Sequence, residues 1–210
     1  MDITWLGHSS VKIQTNKTTL VTDPYPNSIG VTMSPTDPDI VTMSNNHPNH
    51  SHRNDLNGNP KFIVGPGEYE IGGFYITGMA TELKTEETER RVNTVFSYQA
   101  ESLTLCHLGD LSQLPSTADL RTLSNTDVLF VPAGENCTIE VESLAELVSK
   151  IQPRIVVPIH YHFDGLAIEL NPVEKFLSSL GVSETKYQPK LNVTATNLPL
   201  DLRVVLLERS

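Results

Sequence analysis

Short apolar runs broken by turn residues dominate the first half of the chain. Ile3-Thr-Trp5, Val11-Lys-Ile-Gln14 and Thr18-Thr-Leu-Val21 read as β-strands, the second with the period-2 alternation of a half-buried strand. Asn16-Lys17 offers a hairpin turn between the last two. Residues 23–39 hold Asp23-Pro24, Pro26-Asn27, Pro35 and Asp37-Pro38, which are loop signals. Strands are predicted again at Ile40–Met43, Phe62–Val64, Glu70-Ile71 and Phe74–Thr77, with Gly72-Gly73 as a tight turn. Residues 82–91 are almost wholly charged and read as a solvated hairpin tip before two strands at 92–98 and 102–106.

The second half mixes periods. Val128–Val131 has the character of a buried strand, and Ile155–Ile159 of another. Between them, Ile139, Leu144, Leu147, Val148 and Ile151 recur at helical spacing and predict a helix over 139–151, with Ser143 and Glu146 as a local capping pair. Asn171 as N-cap, Pro172 at the first helical position and the stripe Val173, Phe176, Leu177, Leu180 predict a second helix that stops at Gly181. A strand at 203–207 closes the chain, and no repeat of fixed short period is seen. This order predicts one layered α/β domain over residues 1–210, built of two strand-rich half-units back to back with helices outside.

Composition narrows the partners. A chain of 210 residues buries enough surface to fold without disulfides. Its net charge of −10 opposes a phosphate backbone, so nucleic acid is not an expected partner. No run approaches the ~20 apolar residues of a membrane span, and Met-Asp-Ile-Thr-Trp at the start has neither a basic region nor an apolar signal core. Cys106, inside an apolar run, and Cys137, in a polar turn, read as reduced thiols, which places the expected compartment in the cytoplasm. The Gly-x-Ser-x-Gly elbow of a serine hydrolase does not occur.

The chemistry lies in the histidines. All seven fall in four short places: His8; His47, His50 and His52; His107; and His160 and His162. The last three groups each follow a predicted strand, so several strand ends would converge on one site. Neutral imidazole is the commonest metal ligand. His107-Leu-Gly-Asp110 adds a carboxylate after a glycine that permits a sharp bend, and imidazole with carboxylate suits zinc, iron or manganese. A ligating imidazole usually donates its other N–H to a carboxylate or carbonyl. Asp23 could accept such a bond, and His8 could stand behind a ligand or touch substrate.

These segments resemble the metallo-β-lactamase superfamily, within it the small single-domain group similar to ascorbate-6-phosphate lactonase. The resemblance is carried by Trp5-Leu-Gly-His8-Ser-Ser, Thr22-Asp-Pro-Tyr25, residues 44–50, Gly65-Pro-Gly-Glu-Tyr-Glu70, His107-Leu-Gly-Asp110 and Val157-Pro-Ile-His160, in the family's order. It implies a four-layer αβ/βα sandwich with metals at one edge between the halves, and a small-molecule substrate. The group's members often associate, which leaves a homo-oligomer open. The family motif His-x-His-x-Asp-His falls on Asn45, His47, Asn49 and His50. The resemblance then implies one metal position with His47 and His107 and an amide at Asn45. The other has His50 and His160, with Asn49 in place of the carboxylate, and Asp110 lies between the two. An amide carries no charge and is no general base. The expected enzyme therefore holds one or two zinc ions, or another divalent metal, less tightly than its relatives. It would hydrolyse a small ester, lactone or phosphate-bearing substrate, with Asp110 holding the ion or orienting water. His52 and His162 are then candidates for proton transfer. The alternative is a non-catalytic relative that binds a ligand or partner in the same cleft.

Overall fold

The computed structural model describes residues 1–83, 92–183 and 185–210. Three antiparallel strands start the fold: β1 (Asp2–Gly7), β2 (Ser10–Gln14) and β3 (Thr19–Thr22). Ile3 pairs with Ile13, and Ile13 with Leu20, so these three are buried on one face, while Gln14 is exposed. β4 (Ile40–Met43) and β5 (Lys61–Val64) continue this sheet in parallel with β3.

A second sheet begins with an antiparallel meander of β6 (Gly67–Ile71), β7 (Phe74–Glu82), β8 (Val92–Ala100) and β9 (Leu103–His107). Glu82 pairs with Val92 across β7 and β8. Within the charged stretch between them, residues 84–91 lie outside the described residues. After α1 (Thr117–Leu123), the sheet grows in parallel by β10 (Val128–Pro132) and, past α2 (Val141–Ile151), by β11 (Ile155–Ile159). α3 (Glu174–Ser179) precedes four short strands: β12 (Tyr187–Gln188), β13 (Leu191–Asn192), β14 (Arg203–Val204) and β15 (Leu206–Leu207). The strand orders are β13-β1-β2-β3-β4-β5 and β14-β11-β10-β9-β8-β7-β6, with β12 and β15 as a separate pair.

The two sheets face each other across one apolar core. Ile3, Ile13, Leu20 and Ile40 of the first belong to the same buried cluster as Phe74, Phe96, Leu105 and Phe130 of the second, and α2 adds Leu144, Leu147 and Ile151. Burial of this apolar area is the main force joining the halves. A smaller cluster joins Leu6 and Val21 of the first sheet to Tyr25, Ile29, Val31 and Met33, so much of that sheet's outer cover is the loop over 23–39. Together these make the expected α/β sandwich. No helix of the described residues is long and apolar enough to cross a membrane.

Element boundaries differ from expectation where side chains are recruited elsewhere. α2 starts at Val141, which leaves Ser143 inside the helix rather than near its cap. The first N–H of the helix is instead met by Glu135, whose Oε1 accepts from Val141 N at 3.1 Å. Asn171 does not cap α3, which starts at Glu174; its amide donates to Glu135. α1 was not foreseen because its seven residues carry little apolar period, yet Ser116 and Asp119 close a capping box. The closing strand divides into β14 and β15, which serve different sheets.

Glu135 thus fastens the start of α2 to the α3 region, since Lys175 Nζ donates to both its oxygens at 2.8 and 2.7 Å. Burial pushes its carboxyl up, but the Lys175, Val141 and Asn171 hydrogen bonds outweigh this and lower it below its ordinary value. A carboxylate lowered on folding contributes stability above its unfolded value, and this is lost as pH falls through the folded one. Urea unfolding of wild type should weaken from about pH 5 downward, and Glu135→Gln should be less stable at neutral pH but show a shallower decline. Parallel pH profiles for the two proteins would refute this role.

Candidate metal centre

The turns after β1, β3, β4, β9 and β11 meet at one place and deliver His8, Asp23, His50, Asp110 and His160. Ligand sites outside the carboxyl ends of strands are a general consequence of layered α/β folds. Three of these residues hold positive φ: His8 at +48°, Asp23 at +39° and His160 at +51°. Asp, Asn and His tolerate the left-handed region better than other side chains, and such backbone persists only where its surroundings over-determine it. Here they do. The His8 carbonyl accepts from Trp5 Nε1 and from His160 N, both at 2.9 Å. Asp23 N donates to Thr42 O at 2.9 Å.

His50 lies between two carboxylates. Its Nδ1 is 2.9 Å from Asp23 Oδ2, and its Nε2 is 2.9 Å from Asp110 Oδ2. Asp23 also accepts from Ser44 N at 2.7 Å and Ser44 Oγ at 2.5 Å. Burial disfavours a charged His50, but Asp110 and then Asp23 outweigh it and raise its pKa to about 10. Burial likewise opposes the Asp110 carboxylate, yet His50 and His160 hold its carboxyl well below the usual range. The other two rings go the opposite way. Burial, followed by His160 and His50, holds His8 well below the ordinary imidazole value. Burial also lowers His160, with Asp110 opposing. His8 and His160 are therefore neutral, the form that ligates metal.

The three imidazoles each place a ring nitrogen within 4.8 Å of the other two. The His8 ring centroid is 4.5 Å from that of His160 and 4.9 Å from that of His50. Asp110 Oδ1 lies 3.5 Å from His160 Nε2. Asp110 Oδ1, His8 Nδ1 and His160 Nδ1 are buried and have no hydrogen-bond partner among the described residues. Unsatisfied buried polar atoms are costly, and an ion is one standard explanation. Three nitrogens and one oxygen converging this way fit a single divalent cation, with Asp23 holding the far nitrogen of His50 and the cation replacing the proton that His50 Nε2 otherwise shares with Asp110 Oδ2.

The cluster opens into a cleft of about 300 Å³, lined also by Asn45, His47, Asn49, Leu83, Cys137 and Ile168. A larger hollow of about 740 Å³ near Arg154 and Leu202 lies away from the histidines, and its lining brings together no imidazole or thiol. The chemistry therefore assigns the smaller cleft as the site.

Not all expected ligands reach it. His107 is fully buried, but Gly109 N donates to its Nδ1 at 3.1 Å and its Nε2 donates to Ser9 O at 2.8 Å. Both ring nitrogens are thus spent on backbone, and His107 does not line the cleft. His47 lines it, but its Nδ1 accepts from Asn49 N at 3.2 Å. That bond selects the Nε2–H tautomer in the neutral ring, which leaves no lone pair on Nε2 for a cation. His52 is turned away: its N–H bonds Pro24 O and its ring meets Asp55 Oδ2 at 2.8 Å. His162 is exposed, because the intervening Tyr161 is buried against Trp5 with ring centroids 5.0 Å apart. Neither His52 nor His162 lines the cleft, so neither stands in position for proton transfer there. His8, expected behind the ligands, is one of the cluster. Leu83 and Ile168 gave no chemical signal because they are apolar.

Asn45 takes a defined part. Its Oδ1 accepts from His47 N at 2.9 Å, so its Nδ2 must be the atom 3.1 Å from Asp110 Oδ2. An amide N–H thus binds Asp110 Oδ2, the same oxygen that His50 Nε2 faces.

Residues 2–160 match the Beta-lactamase superfamily domain. The chain belongs to that superfamily. It is 29% identical over 195 residues to a metal-dependent hydrolase of Lysinibacillus sphaericus, covering 77% of this chain and 86% of that protein. A metal-dependent hydrolase of Bacillus thuringiensis is 26% identical over 217 residues, covering 86% of this chain and 95% of that one. Among solved structures, a Thermotoga maritima protein provisionally named a Zn-dependent hydrolase of the metallo-β-lactamase superfamily superposes with a TM-score of 0.79 at 29% identity, over 98% of this chain and 97% of that chain. A metallo-β-lactamase fold protein of Bacillus subtilis, at 13% identity and a TM-score of 0.64 over 100% of this chain and 96% of that chain, shares the fold alone.

Within this superfamily member the Asp110 turn depends on Gly109. Its φ is +59°, and a Cβ there would sit 2.3 Å from Asn93 Oδ1 and 2.6 Å from Ser44 Cβ. Gly181 has a similar φ of +69° but open space around it. Gly109→Ala should destabilise the fold by about 2–4 kcal/mol and Gly181→Ala by about 1 kcal/mol. Equal losses in urea unfolding would show that the contacts beneath Asp110 are slack.

Proposed function

We propose that the chain is a metal-dependent hydrolase with a mononuclear centre held by His8, His50, His160 and Asp110, acting on a small ester, lactone or phosphate-bearing molecule. The observation that carries this reading is the convergence of three buried imidazoles on a carboxylate whose second oxygen has no other partner. Relatives named metal-dependent hydrolases support the reaction class. Three nitrogens and one oxygen suit zinc, and also iron or manganese.

A divalent cation bound there supplies Lewis acidity, polarising the attacked oxygen and lowering the pKa of water. The chain's own residues set the rest. Asp110 Oδ2 is committed to Asn45, so Oδ1 is the oxygen left to hold the ion or to accept a hydrogen bond from water. Asn49 contributes no base. Leu83, Cys137 and Ile168 form the wall against which a small substrate packs. The amide positions equally favour a second reading, in which the cleft binds a ligand without turning it over; turnover of generic ester, lactone and phosphodiester substrates by metal-loaded protein distinguishes the two.

Metal analysis by native mass spectrometry after loading with zinc, manganese or iron should find one ion per chain. His8→Ala and His160→Ala should each weaken uptake by more than the ~10–100-fold that loss of an outer partner causes, while His52→Ala and His162→Ala leave it unchanged. Asn45→His with Asn49→Asp should raise the stoichiometry towards two. A wild-type protein that takes up no metal would overturn the reading.

A further inference from the structure

We propose that His107 is a positioning residue that sets His8 into the metal cluster. This rests on the mononuclear reading above. His107 ends β9, in the second sheet, while Ser9 lies in the turn between β1 and β2, in the first. The bond from His107 Nε2 to Ser9 O, 2.8 Å long, spans 98 residues of sequence and joins the two sheets beside the site. At its other nitrogen the ring accepts Gly109 N at 3.1 Å. One imidazole therefore grips both turns that carry ligands from these strands, one residue from His8 and one residue from Asp110.

The ring's state follows from its partners. A backbone N–H must donate to Nδ1, and a carbonyl must receive from Nε2, so the ring is neutral with its proton on Nε2. Protonation of Nδ1, or a switch of tautomer, would set two donors or two acceptors against each other. Ser9 O has one further donor, Thr22 Oγ1 at 3.1 Å, but Thr22 belongs to the same sheet as the turn and fixes nothing relative to β9. The hydrogen bonds to His8 reach only its carbonyl, from Trp5 Nε1 and His160 N, and its backbone stands at a positive φ. Loss of the Ser9 anchor would let the turn relax towards ordinary φ and swing the His8 ring out of register with His50 and His160.

Asparagine can reproduce the Nδ1 end of this imidazole and glutamine the Nε2 end, so the pair isolates the Ser9 bond. Co(II) affinity and its d–d absorption are measured for wild type, His107→Asn, His107→Gln, His8→Ala and His8→Ala with His107→Asn, each checked for folding by circular dichroism. His107→Asn should lower Co(II) affinity ~10–100-fold and alter the spectrum, and His107→Gln should restore most of both. In the His8→Ala background, His107→Asn should cost nothing further. An equal loss in both backgrounds, or wild-type affinity in folded His107→Asn, overturns the proposal while leaving the ligand set intact. Unchanged affinity in His8→Ala alone overturns the ligand set, and the proposal with it. The wild-type protein gives an independent check: imidazole ¹⁵N spectra should show His107 as the Nε2–H tautomer, and an Nδ1–H or doubly protonated ring would refute the mechanism even if no variant folds.

Discussion

The contact on which the site and its supporting loops depend is His50 suspended between Asp23 and Asp110. Two carboxylates buried this close repel each other, and burial removes the water that would screen them. A positive centre between them is a structural requirement. The imidazole meets it by facing one oxygen with each nitrogen. Because Asp23 follows β3, His50 follows β4 and Asp110 follows β9, the same three groups tie two strands of the first sheet to one of the second. The interaction that balances the charge is also a seam between the halves.

The seam explains why the surrounding backbone tolerates strain. His8, Asp23 and His160 each stand at positive φ. For non-glycine residues this costs of order 1–3 kcal/mol each. The cost is offset by hydrogen bonds that only this conformation makes: His160 N to His8 O, Asp23 N to Thr42 O, and Ser44 N and Oγ to Asp23. Strain and hydrogen bonding sit on the same few residues, so the ligand directions are set before any ligand arrives. Such preorganisation is what a weakened ligand set needs if it is to bind at all.

Much of the fold was legible in the sequence, for reasons visible in particular residues. Alternation marked β2, continuous apolar runs marked β4, β10 and β11, and Gly72-Gly73 marked the turn between β6 and β7. What failed were the helix starts. Ser143 and Asn171 have capping chemistry, but a capping residue reports only a local preference, and Glu135 supplies the long-range partner that wins at both places. The site shows the same division. A histidine after a strand was a sound signal of convergence, and it located His50 and His160. It did not reveal which way a ring points: β9 ends by directing His107 back under the sheet and Asp110 into the cleft. His8 was underrated because the Trp5-Leu-Gly-His8 segment offers one ligand and no second nearby; only its contact with His160, 152 residues further along, reveals its place.

Asn45 and Asn49 looked like simple losses in the sequence, but their geometry separates them. Asn49 meets His47 Nδ1 only through its backbone N–H, a contact that an aspartate there would make as well. Asn45 directs an amide N–H at Asp110 Oδ2. A hydrogen-bond donor there does part of what a cation would do, since it satisfies the carboxylate oxygen without bringing a full charge. Here one oxygen is drawn to an amide and an imidazole, and the other is left open. The substitutions do more than subtract ligands. On the mononuclear reading proposed above, Asn45 gives Asp110 a neutral hydrogen-bond donor, and His8 supplies an imidazole that the motif does not contain.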